Sequence, residues 1–379
     1  MKIKIIEEPK VVCSNKNSIH NYFAWPTVAK LQDGTLALVA SGFRMRHICP
    51  FGKSVMCHSR DEGKTWSRPA VLIDTPLDDR DSGILVYGEK NVIVTSFNDS
   101  IDAQRRCVEE HRKMNWNDWE VDNPYMYAYL DAIEKRNAED KYIGSTYVLS
   151  NDGGYTFGDV KYCGISSPHG PALMNDGRVI YIGRAWNKTL ADMWPPTYDK
   201  TDRIECHIMN ENGDFEFVST IEGIYENGEI MLSCEPYSIV LPSGKIIVHI
   251  RVQSYSGKNN MCIYQCESYD NGKTFTKPHQ IIDYCEGAPS HIMRHSSGIL
   301  VATYGHRYEP LGIRAMISRD DGESWETGIS LCDTLSGNDD LGYPSSVELS
   351  DGSILTVFYA HKDWESPSEI MQIIWKLED

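Results

Sequence analysis

Four copies of one octapeptide limit what this chain can fold into more than any other feature of it. Ser59-Arg60-Asp61-Glu62-Gly63-Lys64-Thr65-Trp66 recurs with the pattern S-x-D-x-G-x-[TS]-[WF] at residues 150–157, 268–275 and 318–325. Each copy follows an apolar, β-like run (residues 55–58, 145–149, 261–267 and 313–317) and precedes another. The spacing therefore predicts a hairpin turn. Asp supplies side-chain hydrogen bonds to the turn backbone, Gly the positive-φ position, and the aromatic a cover for the hairpin's apolar side. The predicted role of the octapeptide is structural.

A second repeat interleaves with the first. Apolar strands flank tight turns at Asp33-Gly34, Asp176-Gly177, Ser243-Gly244, Ser297-Gly298 and Asp351-Gly352, with Glu89-Lys90-Asn91 in the matching place of one further unit. One hairpin of each kind makes a four-stranded unit, and repeats of this length signal a propeller. Units fall near residues 20–75, 80–163, 168–222, 230–283, 286–332 and 340–378, where the third has only a decayed octapeptide, Asn210-Glu211-Asn212-Gly213-Asp214-Phe215. The chain is thus expected to be all-β, a single six-bladed β-propeller over residues 1–379. Blade six lacks a fourth strand of its own, and residues 3–12 are predicted to supply it, closing the ring and hiding a sheet edge. Residues 100–141 interrupt blade two and read as helical over 102–113 and 124–137, either a packed decoration, a dimer contact or a lid over the centre.

Charge and cysteine content narrow the partners. With 37 Lys and Arg against 54 Asp and Glu, the formal charge of −17 repels nucleic acid and anionic membrane surfaces. No apolar run reaches the roughly 20 residues that cross a bilayer, and the first residues lack a signal-peptide core. Eleven cysteines without a C-x-x-C pair suggest free thiols and a cytoplasmic setting. Oligomeric state is left open.

In a propeller the start of each first strand and the end of each second strand meet near the axis. Those positions hold Trp25, Arg44, Arg46 and His47 in blade one; Asp79, Arg80, Asp81 and Asn98 in blade two; His169 and Arg184 in blade three; Glu235 and Arg251 in blade four; Ser290, His291, His306 and Arg307 in blade five; and Tyr343 and His361 in blade six. Such clustering of titratable groups beside apolar strands points to a central pocket, although buried Arg–carboxylate pairs tying blades together would produce the same pattern. His47, His169, His291, His306 and His361 have no spacing that fixes a metal geometry, and neither metal nor cofactor is expected.

Taken together, these motifs resemble the sialidase superfamily, whose Asp boxes (BNR repeats) the octapeptides match, and the likeness extends over essentially the whole chain. The resemblance implies a tyrosine nucleophile activated by a glutamate, an aspartic acid as acid/base and three arginines on a substrate carboxylate. Ser233-Cys234-Glu235-Pro236 is similar to the segment of the activating glutamate, Arg251 and Arg307 to the second and third arginines, and Tyr343 to the nucleophile. The chain departs from the pattern at Ala24, where the first arginine would stand, at Ala360, near its supporting glutamate, and in residues 47–53, which hold no carboxylate for the acid/base.

What the resemblance implies is a glycoside hydrolase cleaving a terminal sugar from a glycan, an acidic one if the arginines clamp a carboxylate, with the departures separating it from ordinary exo-sialidases. Asp81, Asp79 and His47 are the replacement proton donors, Asp81 first. Arg44, Arg46 and Arg307 would clamp a carboxylate and Trp25 would stack on a sugar face. The alternatives are a non-catalytic glycan-binding propeller and a lyase acting on an acidic sugar.

Overall fold

The computed structural model describes residues 2–113, 119–136, 139–186, 203–255, 261–283, 287, 289–335, 339–363 and 366–378, the side chains of 108, 110–113 and 119–123 excepted. The chain opens with β1 (Lys2–Cys13). Blade one follows as β2 (Tyr22–Lys30), β3 (Leu36–Arg44), β4 (Lys53–Ser59) and β5 (Ala70–Ile73). Blade two has β6 (Arg80–Tyr87) and β7 (Asn91–Phe97), then α1 (Ile101–Lys113), α2 (Trp119–Lys135) and α3 (Glu139–Tyr142), then β8 (Ser145–Ser150) and β9 (Lys161–Cys163). Blade three is β10 (Ile165–Ser166), β11 (Ala172–Leu173), β12 (Val179–Ala185), β13 (Ile204–Met209) and β14 (Phe215–Thr220), followed by a small hairpin, β15 (Tyr225–Glu226) and β16 (Glu229–Ile230). Blade four is β17 (Leu232–Val240), β18 (Ile246–Gln253), β19 (Cys262–Ser268) and β20 (His279–Ile282). Blade five is β21 (Ser290–Arg294), β22 (Leu300–His306), β23 (Gly312–Ser318) and β24 (Glu326–Cys332), and blade six begins with β25 (Gly342–Glu348), β26 (Ile354–His361) and β27 (Ser368–Glu378).

Each blade is an antiparallel meander, and together they form the six-bladed propeller that the two repeats predict. Blade six takes its outer strand from the other end of the chain. β1 pairs with β27 from Lys2↔Glu378 to Cys13↔Ile370, so the predicted closure holds and the ring has no open seam. In blade three the first strand is split into two short pieces, β10 and β11, about Pro168 and Pro171, which have no ladder donor.

The octapeptide turns repeat one hydrogen-bond set. In the first, the Gly63 amide donates to Ser59 Oγ at 2.8 Å, the Thr65 amide to Asp61 Oδ1 at 2.8 Å and the Thr65 hydroxyl to Asp61 Oδ2 at 2.6 Å. The turns also join blades. Trp66 Nε1 donates to Gln372 Oε1 at 2.6 Å, from blade one to blade six, and Trp325 Nε1 to Gln265 Oε1 at 2.7 Å, from blade five to blade four. Each glutamine returns its amide to the turn, Gln372 to the Gly63 carbonyl and Gln265 to the Gly322 carbonyl. Any Cβ at Gly322, where φ is +82°, would lie 2.5 Å from Ile247 of blade four. The octapeptide therefore turns the chain and staples it to the preceding blade.

The helical insertion lies where predicted, but its second helix starts earlier. α2 begins at Trp119 and carries Pro124 within it, and the predicted end at Asn137 lies outside the described residues. Its Leu130 and Ile133 pack with Ile101, Leu77 and Trp186, while Met126 packs on Met45 and Cys49. These side chains are buried, so α2 is docked onto the loop that follows β3 rather than held clear of it. No helix among the described residues is long and apolar enough to cross a membrane.

Candidate active site

Four residues that converge on the axis share one backbone anomaly. Trp25, Asp81, Glu235 and Tyr343 have φ of 54°, 50°, 49° and 47°. Each lies at a register shift of its first strand: Ala24/Thr27, Arg80/Gly83, Cys234/Tyr237 and Gly342/Ser345. A bulge inserts an extra residue and re-aims its side chain, here toward the axis. Left-handed φ costs a non-glycine residue about 1–3 kcal/mol and is kept where the surroundings over-determine it, commonly at functional sites. Trp25, Glu235 and Tyr343 are each followed by proline, which cannot donate to the ladder and so suits a bulge. That X-Pro pattern is the sequence signal for these positions.

Tyr343 and Glu235 meet across the ring. The phenol donates to Glu235 Oε1 at 2.7 Å, and Arg251 Nη1 donates to Glu235 Oε2 at 2.7 Å and to the phenolic oxygen at 3.3 Å. Gln253 Oε1 fixes the other side of the guanidinium, accepting from Nε at 3.1 Å and Nη2 at 2.7 Å. Burial opposes ionisation of Glu235, but the Arg251 charge and the two hydrogen bonds outweigh it and hold its carboxyl below the usual range. Burial, then the negative charges of Glu235 and Asp81, push the Tyr343 phenol well above its ordinary value. Arg307 places its guanidinium 5.7 Å from the Tyr343 ring centre and donates from Nε to the Leu341 carbonyl and from Nη2 to Tyr359 Oη.

Asp81 is the odd carboxyl in this group. It is 6% exposed, and no described group hydrogen-bonds its side chain. Burial, and next the charge of Glu235, raise it to about 7. Asp81 is therefore poised to hold and release a proton near neutrality beside an ionised glutamate.

The remaining predicted positions divide by depth, and several differ from expectation. Arg44 is fully buried: it pairs with Asp78 at 2.6 Å and donates to Ser41 Oγ and to the carbonyls of Arg46, Asp79 and His47. With its donors committed to the fold, it is no substrate clamp. Arg46 is buried beside it and serves Arg44 through its carbonyl. Asp79 is also fully buried, accepting from the Thr75 amide and hydroxyl, and burial raises it to about 7. Trp25 is 2% exposed and has Arg44 over one face at 4.8 Å, leaving no face for a sugar.

His169 and His291 lie at the floor. Their rings meet edge-on at 5.3 Å and His291 stacks on Tyr237 at 4.6 Å, with burial lowering His291 to about 3 and His169 well below its ordinary value. Here the blades touch backbone to backbone: a Cβ on Gly83 would lie 2.2 Å from the Gly170 nitrogen. Arg184 turns its guanidinium over Trp186 at 5.0 Å, and His306 Nδ1 faces the carbonyls of Tyr308 and Pro310, so neither meets the Tyr343 group.

His47 and His361 converge instead on Asp340, which the sequence reading missed. His47 Nδ1 lies 3.0 Å from Asp340 Oδ1 and His361 Nε2 3.3 Å from Oδ2. Two phenols donate to the same carboxylate, Tyr359 to Oδ1 at 2.8 Å and Tyr22 to Oδ2 at 2.5 Å. Burial works against Asp340's ionisation, yet the His47 and His361 charges and hydrogen bonds hold it well below the usual carboxylate range. Asp340 precedes its strand by two residues in a loop without periodicity; the only signal is that it stands three residues before Tyr343, as Asp78 does before Asp81 and Tyr22 before Trp25. Among the described residues no cluster of His, Cys, Asp and Glu is arranged to hold a metal ion.

The profile of the BNR repeat-like domain matches residues 146–356. Comparison with curated proteins returns no match. Among solved structures, a protein of unknown function from Dyadobacter fermentans superposes with a TM-score of 0.72 at 19% identity, covering 99% of both chains. The NanB sialidase of Streptococcus pneumoniae gives 0.66 at 12% identity over 97% of this chain and 70% of its own, and the α-L-arabinanase of Penicillium chrysogenum 0.61 at 13% over 97% of each. At these identities the likeness is one of fold.

Proposed function

Because this chain belongs to the BNR repeat-like family and shares its fold with a sialidase and an arabinanase, we propose that it is a glycoside hydrolase that removes a terminal sugar by way of Tyr343. The observation that carries the reading is the Tyr343–Glu235–Arg251 cluster with Asp81 unbonded beside it. A phenol raised above its ordinary value is neutral at rest and a poor nucleophile, so its proton must pass to Glu235 as the oxygen bonds the anomeric carbon. Asp81 gives its proton to the departing glycosidic oxygen in the same step. A water then delivers its proton to Asp81 and attacks the anomeric carbon, the tyrosyl oxygen leaves, and Glu235 returns the proton. Arg251 and Arg307 stabilise the negative charge that passes over the tyrosyl oxygen and Glu235.

Two inversions at one carbon give net retention. The test is the anomeric configuration of the first product by proton NMR on an aryl glycoside, with mass spectrometry of the enzyme inactivated by a 2-deoxy-2-fluoroglycosyl fluoride. Retention with the sugar on Tyr343 is expected; inversion, or an adduct on another residue, would overturn the tyrosyl route.

A further inference from the structure

The residues gathered on Asp340 form a second polar corner beside the Tyr343 group. It adjoins the Tyr343 group directly: the Trp25 ring lies edge-on to His47 at 5.0 Å, to Tyr359 at 6.1 Å and to Tyr343 at 6.4 Å, and Arg307 Nη2 reaches the Tyr359 oxygen that donates to Asp340. Asp340 is 23% exposed at its side chain and His47 39%, so this corner is open where the floor is closed.

Guanidinium groups are the usual partner of a sugar carboxylate, because their forked donors match its two oxygens. Here few are left to serve. Arg251 is held by Glu235, Tyr343 and Gln253, and Arg44 is buried on Asp78. Arg46 is buried, and Arg307 keeps a nitrogen, Nη1, without a hydrogen bond among the described residues. Any carboxylate reaching it would approach the Asp340 anion, which sits one phenol away, and the repulsion between them, offset in part by His47 and His361, is larger in a partly buried site than in water. A hydroxyl meets no such repulsion and can donate to Asp340 and bond the His47 ring, the two partly exposed members of the corner.

We propose that Asp340 is a specificity-determining residue that makes this site select a neutral sugar and reject sugars bearing a carboxylate. The inference rests on the reading of the centre as a sugar site, but not on turnover there. It is tested by binding: dissociation constants from ligand-observed NMR for methyl glycosides in pairs that differ only by oxidation at C6, glucoside with glucuronide and galactoside with galacturonide in both anomers, together with methyl arabinofuranosides and a methyl sialoside. The tightest ligand is expected to be neutral, binding about tenfold or more better than the acidic sugars. Asp340→Asn, which keeps the shape and removes the charge, should narrow that ratio about fivefold or more by improving the acidic sugars.

An acidic sugar as the tightest ligand of the native protein overturns the proposal, as does an Asp340→Asn ratio equal to the native one in a folded variant, or no binding of any glycoside at millimolar concentration. The native pairs decide the question even if the variant fails to fold. Neutral binding without product would sink the hydrolase and leave the selectivity; Tyr343-dependent cleavage of a uronide or sialoside would do the reverse.

Discussion

Tyr343 donates its phenolic proton to Glu235 across the propeller axis at 2.7 Å, a contact between residues 108 apart in the chain. A glutamate held ionised by Arg251 can take that proton; an amide cannot. Glu235→Gln and Tyr343→Phe are therefore each expected to lower kcat by about 1000-fold, the middle of the range for a positioned base, since the nucleophile and its base act as one unit. Initial rates on an aryl glycoside, with thermal unfolding within a few degrees of native, check this; near-native rates in both would remove Tyr343 from the chemistry.

Asp81, raised to about 7 by burial and by Glu235, sets the alkaline side of the activity profile. As the acid it must be protonated, so kcat/KM should fall as pH rises through about 7. Glu235 lies below the usual carboxylate range, so the acidic side should hold until below about pH 4. Asp81→Asn is expected to abolish the limb near 7 along with most of the rate on poor leaving groups, while activated aryl leaving groups lose less. For stability, a carboxyl raised on folding favours the native state fully below its unfolded value near 4, and that contribution is lost as pH rises through 7. The variant should accordingly flatten the decline of thermal midpoint over that window.

Arg44 carries a charge with no exposure and is neutralised by Asp78 at 2.6 Å. Removing one partner strands the other, at a cost of about 3–5 kcal/mol. Arg44→Ala should lose that much in urea unfolding or fail to accumulate as folded protein, and Arg44→Lys should not rescue it, because one ammonium cannot reach three carbonyls, Ser41 and Asp78 together. A stable variant with only a raised KM would restore Arg44 as a substrate clamp.

Gln265 and Gln372 hold the blade staples. Each accepts from a turn tryptophan and donates to a turn carbonyl, and Gln265 also bonds Glu267. Replacing either with Ala is expected to cost about 1–3 kcal/mol by leaving buried polar groups unpaired. The losses should add, since the two staples share no partner, and turnover should survive. Denaturant midpoints of the single and double variants, read beside their rates, are the check.

The turns and blades were legible because their chemistry is local. Ser, Asp, Gly and Thr of the octapeptide satisfy one another within a few residues, so the pattern that makes the turn is the pattern in the sequence. The same logic gave β1 its place, since a blade short of one strand leaves an edge that another segment must fill. At the centre, position was legible and role was not. Trp25 and Arg44 fall at the axis as expected, but their mutual packing and the Asp78 pair turn both into parts of the wall. Nothing in a linear pattern distinguishes an arginine saturated by carbonyls from one left open to a ligand.

The octapeptide and the hairpin repeat interleaved with it together determined that this chain is a ring of six antiparallel blades, because the turn's hydrogen bonds close within it and its aromatic reaches the neighbouring blade. Tertiary structure decided what the ring encloses. Tyr22 reaches Asp340 over 318 positions of sequence because closing the ring sets blade one beside blade six, and Glu235 reaches Tyr343 because the first-strand bulges of blades four and six both turn inward. Charge, protonation and openness at the centre follow from those meetings, where burial and a few donors fix which carboxylate stays ionised and which keeps its proton.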